Sequence, residues 1–164
     1  MHFINGFNQL FMNSEDATIT NMYKEIKPFL TNKKDGEMDT VEVRTIKGLI
    51  RRGEARTACT FNNIPLDRVH FLDLPFYESG KIEKLPMTEK DVKIVRALLK
   101  EVKPHQIYVA GDLADPHGTH RKCTDAVLAA LDLEKEEGAE WLKDCRVWMY
   151  RGAWAEWEIE NIEM

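Results

Sequence analysis

No stretch of this sequence approaches the roughly 20 apolar residues that a helix needs to cross a bilayer. The amino terminus also lacks a basic-then-apolar leader. Cysteine is scarce: Cys59, Cys123 and Cys145 are few, far apart and odd in number. That usage suits a reducing cytosol rather than a disulfide framework. Cationic blocks are missing as well. With a net charge of -5 and no Lys/Arg run, the chain has no electrostatic footprint for nucleic acid. No internal repeat or low-complexity tract is visible. The expectation is a cytoplasmic protein with neither a membrane nor nucleic acid among its partners. What is present is ordinary for a globular chain, with 43% hydrophobic and 31% charged residues. Its 164 residues suffice for a single domain, 1–164, with a real core.

The first 36 residues read as a helical lead-in. Phe3, Phe7 and Phe11 recur at a spacing of four, which suits packing. A second helix starts near Ser14; Ile19, Met22, Tyr23, Ile26 and Leu30 form its apolar stripe, and Pro28 is expected to bend or shorten its end. A long amphipathic helix is predicted over residues 39–62, with Thr40 as cap. Val43, Ile46, Ile50 and Ala58 mark its buried side, and Phe61 closes it. Gly48 and Gly53 each weaken such a helix by about 1 kcal/mol relative to alanine, so close packing is their expected reason. Arg51, Arg52 and Glu54 cluster mid-helix. Two readings are open: a solvated, self-paired face, or an arginine that reaches a site and grips an anionic group bidentately.

Residues 68–74 alternate as a strand, with His70 inside it as a structural residue, and Tyr77 or Glu78 follows its carboxyl end. Thr88-Glu-Lys-Asp91 is a capping box, and Val92, Val95, Leu99 and Val102 are the buried stripe of its helix. Pro104 ends that helix before a second strand, Gln106–Ala110. Residues 124–133 have helical periodicity, residues 134–140 read as acidic and exposed, and residues 145–150 make a third strand. The order is a parallel βαβαβ unit, right-handed by the usual rule. Its carboxyl edge would gather Tyr77, the turn after the second strand, and the segment with Trp154 and Trp157. Those tryptophans read as a rim or an interface, with sugar stacking as the alternative.

The chemistry-bearing stretch is Gly111-Asp-Leu-Ala-Asp-Pro-His-Gly-Thr-His-Arg-Lys-Cys123. It places Asp112, Asp115, His117 and His120 at the carboxyl end of a strand, where open α/β sheets hold ligands. His117 and His120 are three apart and share a helix face if the helix starts near Gly118. His120 continues through Cys123, Val127 and Leu131 as one stripe, so His120 is expected to point inward and His117 to sit at the mouth. Two imidazoles with nearby carboxylates suit a zinc-type ion. The alternative is a helix-start histidine bonded to Asp112 or Asp115.

Three stretches resemble the LmbE/PIG-L deacetylases: Leu49-Ile-Arg-Arg-Gly-Glu-Ala-Arg-Thr-Ala-Cys59, Val69-His-Phe-Leu-Asp-Leu-Pro75 and His117-Gly-Thr-His120. The closer likeness is to the PIG-L-like portion of the long glucosamine-6-phosphate deaminase-like proteins of Bacteroidetes. It is carried by Lys103 through His120 and by Tyr150-Arg-Gly-Ala-Trp154, and it is best over residues 37–164. The resemblance implies a Rossmann-like parallel sheet and zinc-assisted hydrolysis of an N-acyl amino sugar. It implies His120 as a zinc ligand and His117 at the carbonyl, and it places Arg51, through Arg-x-x-Glu, or its neighbour Arg52 near the site, to bind substrate. The turn itself adds its carboxylates, Asp112 as a further metal ligand and Asp115 as a catalytic group, and the strand edge adds Tyr77 at the mouth as a substrate contact. Zinc would bring its bound water to a pKa of about 7, with a carboxylate taking the proton.

Two departures qualify that expectation. Gly118-Thr119 stands where the wider family has the Pro-Asp of His-Pro-Asp-His. The family's amino-terminal His-Pro-Asp-Asp, which supplies two zinc ligands and the general base, occurs nowhere in the 164 residues. The first strands of the family fold are expected to be missing too, leaving a domain incomplete on its amino-terminal side. The leading expectation is a PIG-L-type deacetylase stretch of amino-sugar metabolism, inactive by itself, within a deaminase-like protein. The alternative is a non-catalytic module that binds a sugar phosphate or another subunit. A homo-oligomer or association with a deaminase-like domain belongs to either reading.

Overall fold

The structure is a computed structural model that describes residues 16–77, 84–111 and 118–151, with side chains from residue 24 onward. The described residues of Met1–Phe71 and of Leu72–Met164 form two compact units. Phe3, Phe7, Phe11, Trp154 and Trp157 lie outside the described residues. Among the described residues, no helix is long and apolar enough to cross a membrane.

The first unit is built on two helices, α1 (Asp16–Asn32) and α2 (Val41–Phe61). Pro28 lies inside α1 without ending it, and the Asn32 side chain donates back to the Pro28 carbonyl at 2.9 Å. Of the expected stripe, Ile26 is half-buried and Leu30 exposed. Thr40 caps α2 as predicted, its hydroxyl accepting from the Val43 amide. Just before it, Asp39 takes Lys33 at 2.6 Å and Lys47 at 2.7 Å, tying the connecting loop to α2. Those two ammonium groups hold the Asp39 carboxyl below its ordinary value.

The buried side of α2 differs from the predicted one. Val43 and Gly53 are buried, but Ile50 and Ala58 are exposed, and Phe61 is 86% exposed. Gly48 is not explained by packing: no described atom lies within 4 Å of the position its Cβ would take.

Residues 69–74 form no strand, which corrects the predicted first strand. A short 3-10 turn, Leu66–Arg68, leads into Val69, whose backbone is extended. Asp73 then turns into the left-handed region at φ 49° and interrupts the run. Alternation shows a chain that is able to pair; a strand also needs a neighbour, and the one ladder among the described residues lies elsewhere. Leu72 and Leu74 pack on a helical core instead.

That core belongs to the second unit, made of α3 (Glu89–Val102), β1 (Gln106–Ala110), α4 (Thr119–Glu136) and β2 (Arg146–Tyr150). β1 and β2 pair in parallel, with Gln106 opposite Arg146 and Ala110 opposite Tyr150. α4 is the crossover that a parallel pair requires. The result is a small parallel sheet in a mixed α/β unit. The Thr88–Asp91 capping box forms as predicted. Val92, Val95 and Leu99 are buried against Ala126 and Ala130 of α4, where the two small side chains let the helices approach closely. Val102 departs from the predicted stripe and is exposed, because α3 ends there on Lys103 in the left-handed conformation. Of the sheet, Val109 is buried, while all five β2 residues are exposed.

Candidate functional site

The carboxyl edge of the sheet is fixed by two hydrogen bonds. The Gly111 amide donates to the Tyr150 carbonyl at 2.9 Å, extending the ladder one residue past β1. The Thr124 hydroxyl, one turn into α4, donates to the Ala110 carbonyl at 2.7 Å. The helix start is thereby anchored on the strand end, and the chain leaves the sheet at Gly111 and returns at Gly118. Residues 112–117, and with them Asp112, Asp115 and His117, lie outside the described residues, as does Glu78.

Gly118 enters α4 at φ 64°. That left-handed conformation suits glycine and is closed to proline, whose ring holds φ near −65°. The turn before His120 is therefore not one that the Pro-Asp version of the motif can make.

His120 does not point into the core. It is exposed on the first turn of α4, and so is Cys123. Burial along this helix begins one turn later, at Thr124, and continues through Ala126, Ala130 and Glu134. Val127 and Leu131 of the predicted stripe are half-buried against the core. The first turn of α4 precedes this buried stretch, so the face is wet at His120.

Tyr77 ends a 3-10 turn, Pro75–Tyr77, and is exposed beside the buried Phe76, the two rings meeting edge-on. The turn is held by Asp91, which accepts the Phe76 amide at 2.9 Å and both the amide and the hydroxyl of Thr88 at 2.8 Å. Burial alone would raise the Asp91 carboxyl; those donors outweigh it and hold the group below its ordinary value. Lys84 lies over the Tyr77 ring at 4.1 Å, and Leu85 donates to the Phe76 carbonyl. Lys122, in α4, donates to the carbonyls of Lys84 and Leu85 at 3.1 and 2.8 Å. Through Lys122 the structure brings the Tyr77 turn and the first turns of α4 into one neighbourhood. The sequence carried no signal for this, because a lysine bonding distant carbonyls leaves no local pattern.

The arginines belong to the first unit. Arg51 pairs with Glu54 at 2.6 Å, and both side chains are largely exposed, the self-paired surface arrangement. Arg52 sits over the Phe71 ring, 5.3 Å from its centroid, and Arg56 joins it at 5.1 Å. Arg56 was not singled out by motif, although its four-residue spacing from Arg52 on a helix was a signal for a shared face.

Of the donors expected for zinc, His120 is the one among the described residues. Among the described residues, no group of three His, Cys, Asp or Glu side chains comes together to hold an ion. No disulfide joins Cys59, Cys123 and Cys145, and burial raises the Cys145 thiol above its ordinary value.

The PIG-L family, described as GlcNAc-PI de-N-acetylase, matches residues 17–131. A glucosamine-6-phosphate deaminase-like protein of Bacteroides thetaiotaomicron is 77% identical over all 164 residues. The chain spans about a quarter of that relative's length, 25%. No solved structure matches the chain. With the family match running from α1 through most of α4, across the helix that starts after the Gly118 turn, the chain belongs to the PIG-L family.

Proposed function

We propose that this chain is the PIG-L-type part of a protein that removes the N-acyl group from an amino sugar by amide hydrolysis. The observation that carries the reading is the family match over residues 17–131, which includes the strand, the Gly118 turn and the helix bearing His120. The relative's deaminase-like name supports amino-sugar metabolism as the setting.

In this reading His120 and Asp112 are zinc ligands, as PIG-L members commonly use that metal. His117 and Asp115 act at the amide, and Arg51, Arg52 and Tyr77 bind the sugar. The 164 residues contain no His-Pro-Asp-Asp sequence, so the reading makes the isolated chain incompetent in turnover. Association with a deaminase-like domain, or with a second copy, and a cytoplasmic setting belong to the same proposal.

Acetate release from N-acetylglucosamine 6-phosphate tests it, measured with zinc for this chain and for the full-length Bacteroides relative. The relative should turn over and the isolated chain should not. Comparable turnover by the isolated chain would place the general base within these residues. No turnover by either protein would favour the second reading, a non-catalytic module that binds a sugar phosphate or another subunit. The missing His-Pro-Asp-Asp motif keeps that reading in play.

A further inference from the structure

The outer edge of β2 is an arrangement that the deacetylase reading does not use. β1 and β2 form the one ladder among the described residues. Within it the Arg146 amide donates to the His105 carbonyl, and the Tyr150 carbonyl accepts from the Gly111 amide. Parallel pairing turns alternate residues toward the partner strand, so Arg146, Trp148 and Tyr150 direct their backbone groups at β1. The amides and carbonyls of Val147 and Met149 point the other way, along the outer edge. Such an edge is a template for a further strand unless a proline, a lysine or a cover blunts it. β1 is blunted on its own outer side, where Thr124 takes the Ala110 carbonyl. β2 holds neither proline nor lysine, and Val147, Trp148, Met149 and Tyr150 are 37 to 52% exposed.

The residues of this edge are complementary to themselves. In an antiparallel pair, hydrogen-bonded and non-hydrogen-bonded rungs alternate. A two-fold axis at Trp148 sets Trp148 opposite its own copy in a non-bonded rung. On either side, Val147 then stands opposite Met149 of the second copy in a bonded rung, so every outward amide and carbonyl of these two residues is paired. The same register sets Arg146 opposite Tyr150 of the second copy, a cation against an aromatic face. The Arg146 guanidinium donates to the neighbouring Cys145 carbonyl at 3.3 Å and still has a planar face to offer a ring. Tyr108 is the register partner of Trp148 in β1, so an aromatic row runs from Tyr108 through both tryptophans to the second Tyr108. No rung sets like charges opposite each other, and other registers leave part of the five-residue strand unpaired.

From these observations we infer that β2 is a self-association edge, along which two copies of this chain pair antiparallel across Trp148 into one sheet. This gives the second-copy association proposed above a stated surface. It rests on the sheet and needs neither zinc nor turnover, so it and the deacetylase reading fail separately. A standard interface buries roughly 800 Å² per partner, more than one short strand edge offers, so the dimer is expected to be weak and reversible.

The test is sedimentation equilibrium of the 164-residue chain from about 5 to 500 µM, a range in which mass action reveals a weak dimer. A reversible monomer–dimer equilibrium is expected. Trp148→Lys and Trp148→Glu each set like charges across the axis and should weaken the dimer by about tenfold or more. Mixed in equal amounts, the two variants should associate about tenfold more tightly than either alone, a rescue that misfolded variants would not give. Phe61→Ser removes an 86% exposed apolar side chain from the other unit and should change the dimer constant by less than about twofold. Hydrogen exchange at the Val147 and Met149 amides should slow as concentration rises, while the Trp148 amide, directed at β1, is slow throughout. A chain that stays monomeric over the whole range would overturn the inference. So would a mixture no tighter than the single variants, or a loss in Phe61→Ser as large as in Trp148→Lys. Slow exchange at Val147 and Met149 in the dilute monomer would overturn it too, because the edge would then be covered from within the chain.

Discussion

Glu134 is buried against Arg96: its carboxylate oxygen lies 2.6 Å from the guanidinium Nε, and only 3% of its side chain is exposed. The pair joins α3 to α4 across 38 residues of sequence. Trp141 donates a second bond to Glu134, and Lys100 lies 3.6 Å away. Burial alone would raise the Glu134 carboxyl, but the Arg96 and Trp141 bonds and the nearby Lys100 outweigh it and lower the group below its ordinary value of 4.5. A carboxylate lowered in the fold contributes stability above its unfolded value and loses it as pH falls through the folded one. Stability should therefore be level near neutrality and decline below about pH 4.5. Glu134→Gln should cost about 2 kcal/mol at pH 7 and flatten part of that acid decline. Urea unfolding midpoints measured from pH 7 to pH 3 check both parts; an unchanged acid slope would remove Glu134 from the explanation.

Asp91 is the other buried carboxylate among the described residues, joining the start of α3 to the Phe76 turn. Asp91→Ala removes the cap and leaves the Phe76 amide without its acceptor, so it should cost about 2 kcal/mol or more. Asp91→Asn keeps one oxygen and should fall between alanine and the native residue. Hydrogen exchange at the Phe76 amide separates a lost tie from a general loss of stability. Asp91→Ala should accelerate that amide more than the amides of β1.

At Gly118 the expected ranking runs against the wider family's preference. Gly118→Ala should destabilise by about 1 kcal/mol, because an L side chain is strained at positive φ. Gly118→Pro, the wider-family residue, should be worse, since its ring cannot reach φ 64°. Thermal unfolding of the two variants ranks them. A proline variant as stable as the native chain would mean that the turn rebuilds without cost.

In the proposed reading His120 is a zinc ligand and His117 acts at the amide, so His120→Ala should weaken zinc binding more than His117→Ala. Competition against a chromophoric zinc chelator measures each affinity. Equal losses from the two variants would remove the distinction between a ligand and a residue acting at the amide.

Local signals were the legible part of the fold. The capping residues Thr88 and Asp91 sit three positions apart and satisfy each other within one turn, so four letters were enough to place the start of α3. The short run Gln106–Ala110 matched β1 in position, although Val109 is the one buried residue in it and Gln106 and Tyr108 are exposed. The misses share a cause in distant partners. Residues 69–74 alternate like a strand, yet pairing depends on a neighbour that alternation does not encode. Glu134 opens an acidic run that reads as solvated, and only Arg96, 38 residues away, makes it a core residue. His120 has helical phase with Val127 and Leu131, but phase does not say where a helix outruns its partner. The strand and the helix that flank the candidate turn were legible, whereas the stacking of Arg52 and Arg56 was not, since it depends on Phe71 lying opposite α2.

The parallel pairing of β1 with β2 sets an order of events in folding. Two parallel neighbours cannot zip from a tight hairpin, so the first rung between them forms only after the whole intervening segment has been compacted. That segment contains α4, whose Thr124 bond to the Ala110 carbonyl holds the helix start against the strand end. The docking of α4 on α3 and β1 is then expected to come first, with the sheet closing after it. Substitutions at Ala126 or Ala130 should slow refolding, whereas substitutions on the exposed face of β2 should mainly hasten unfolding.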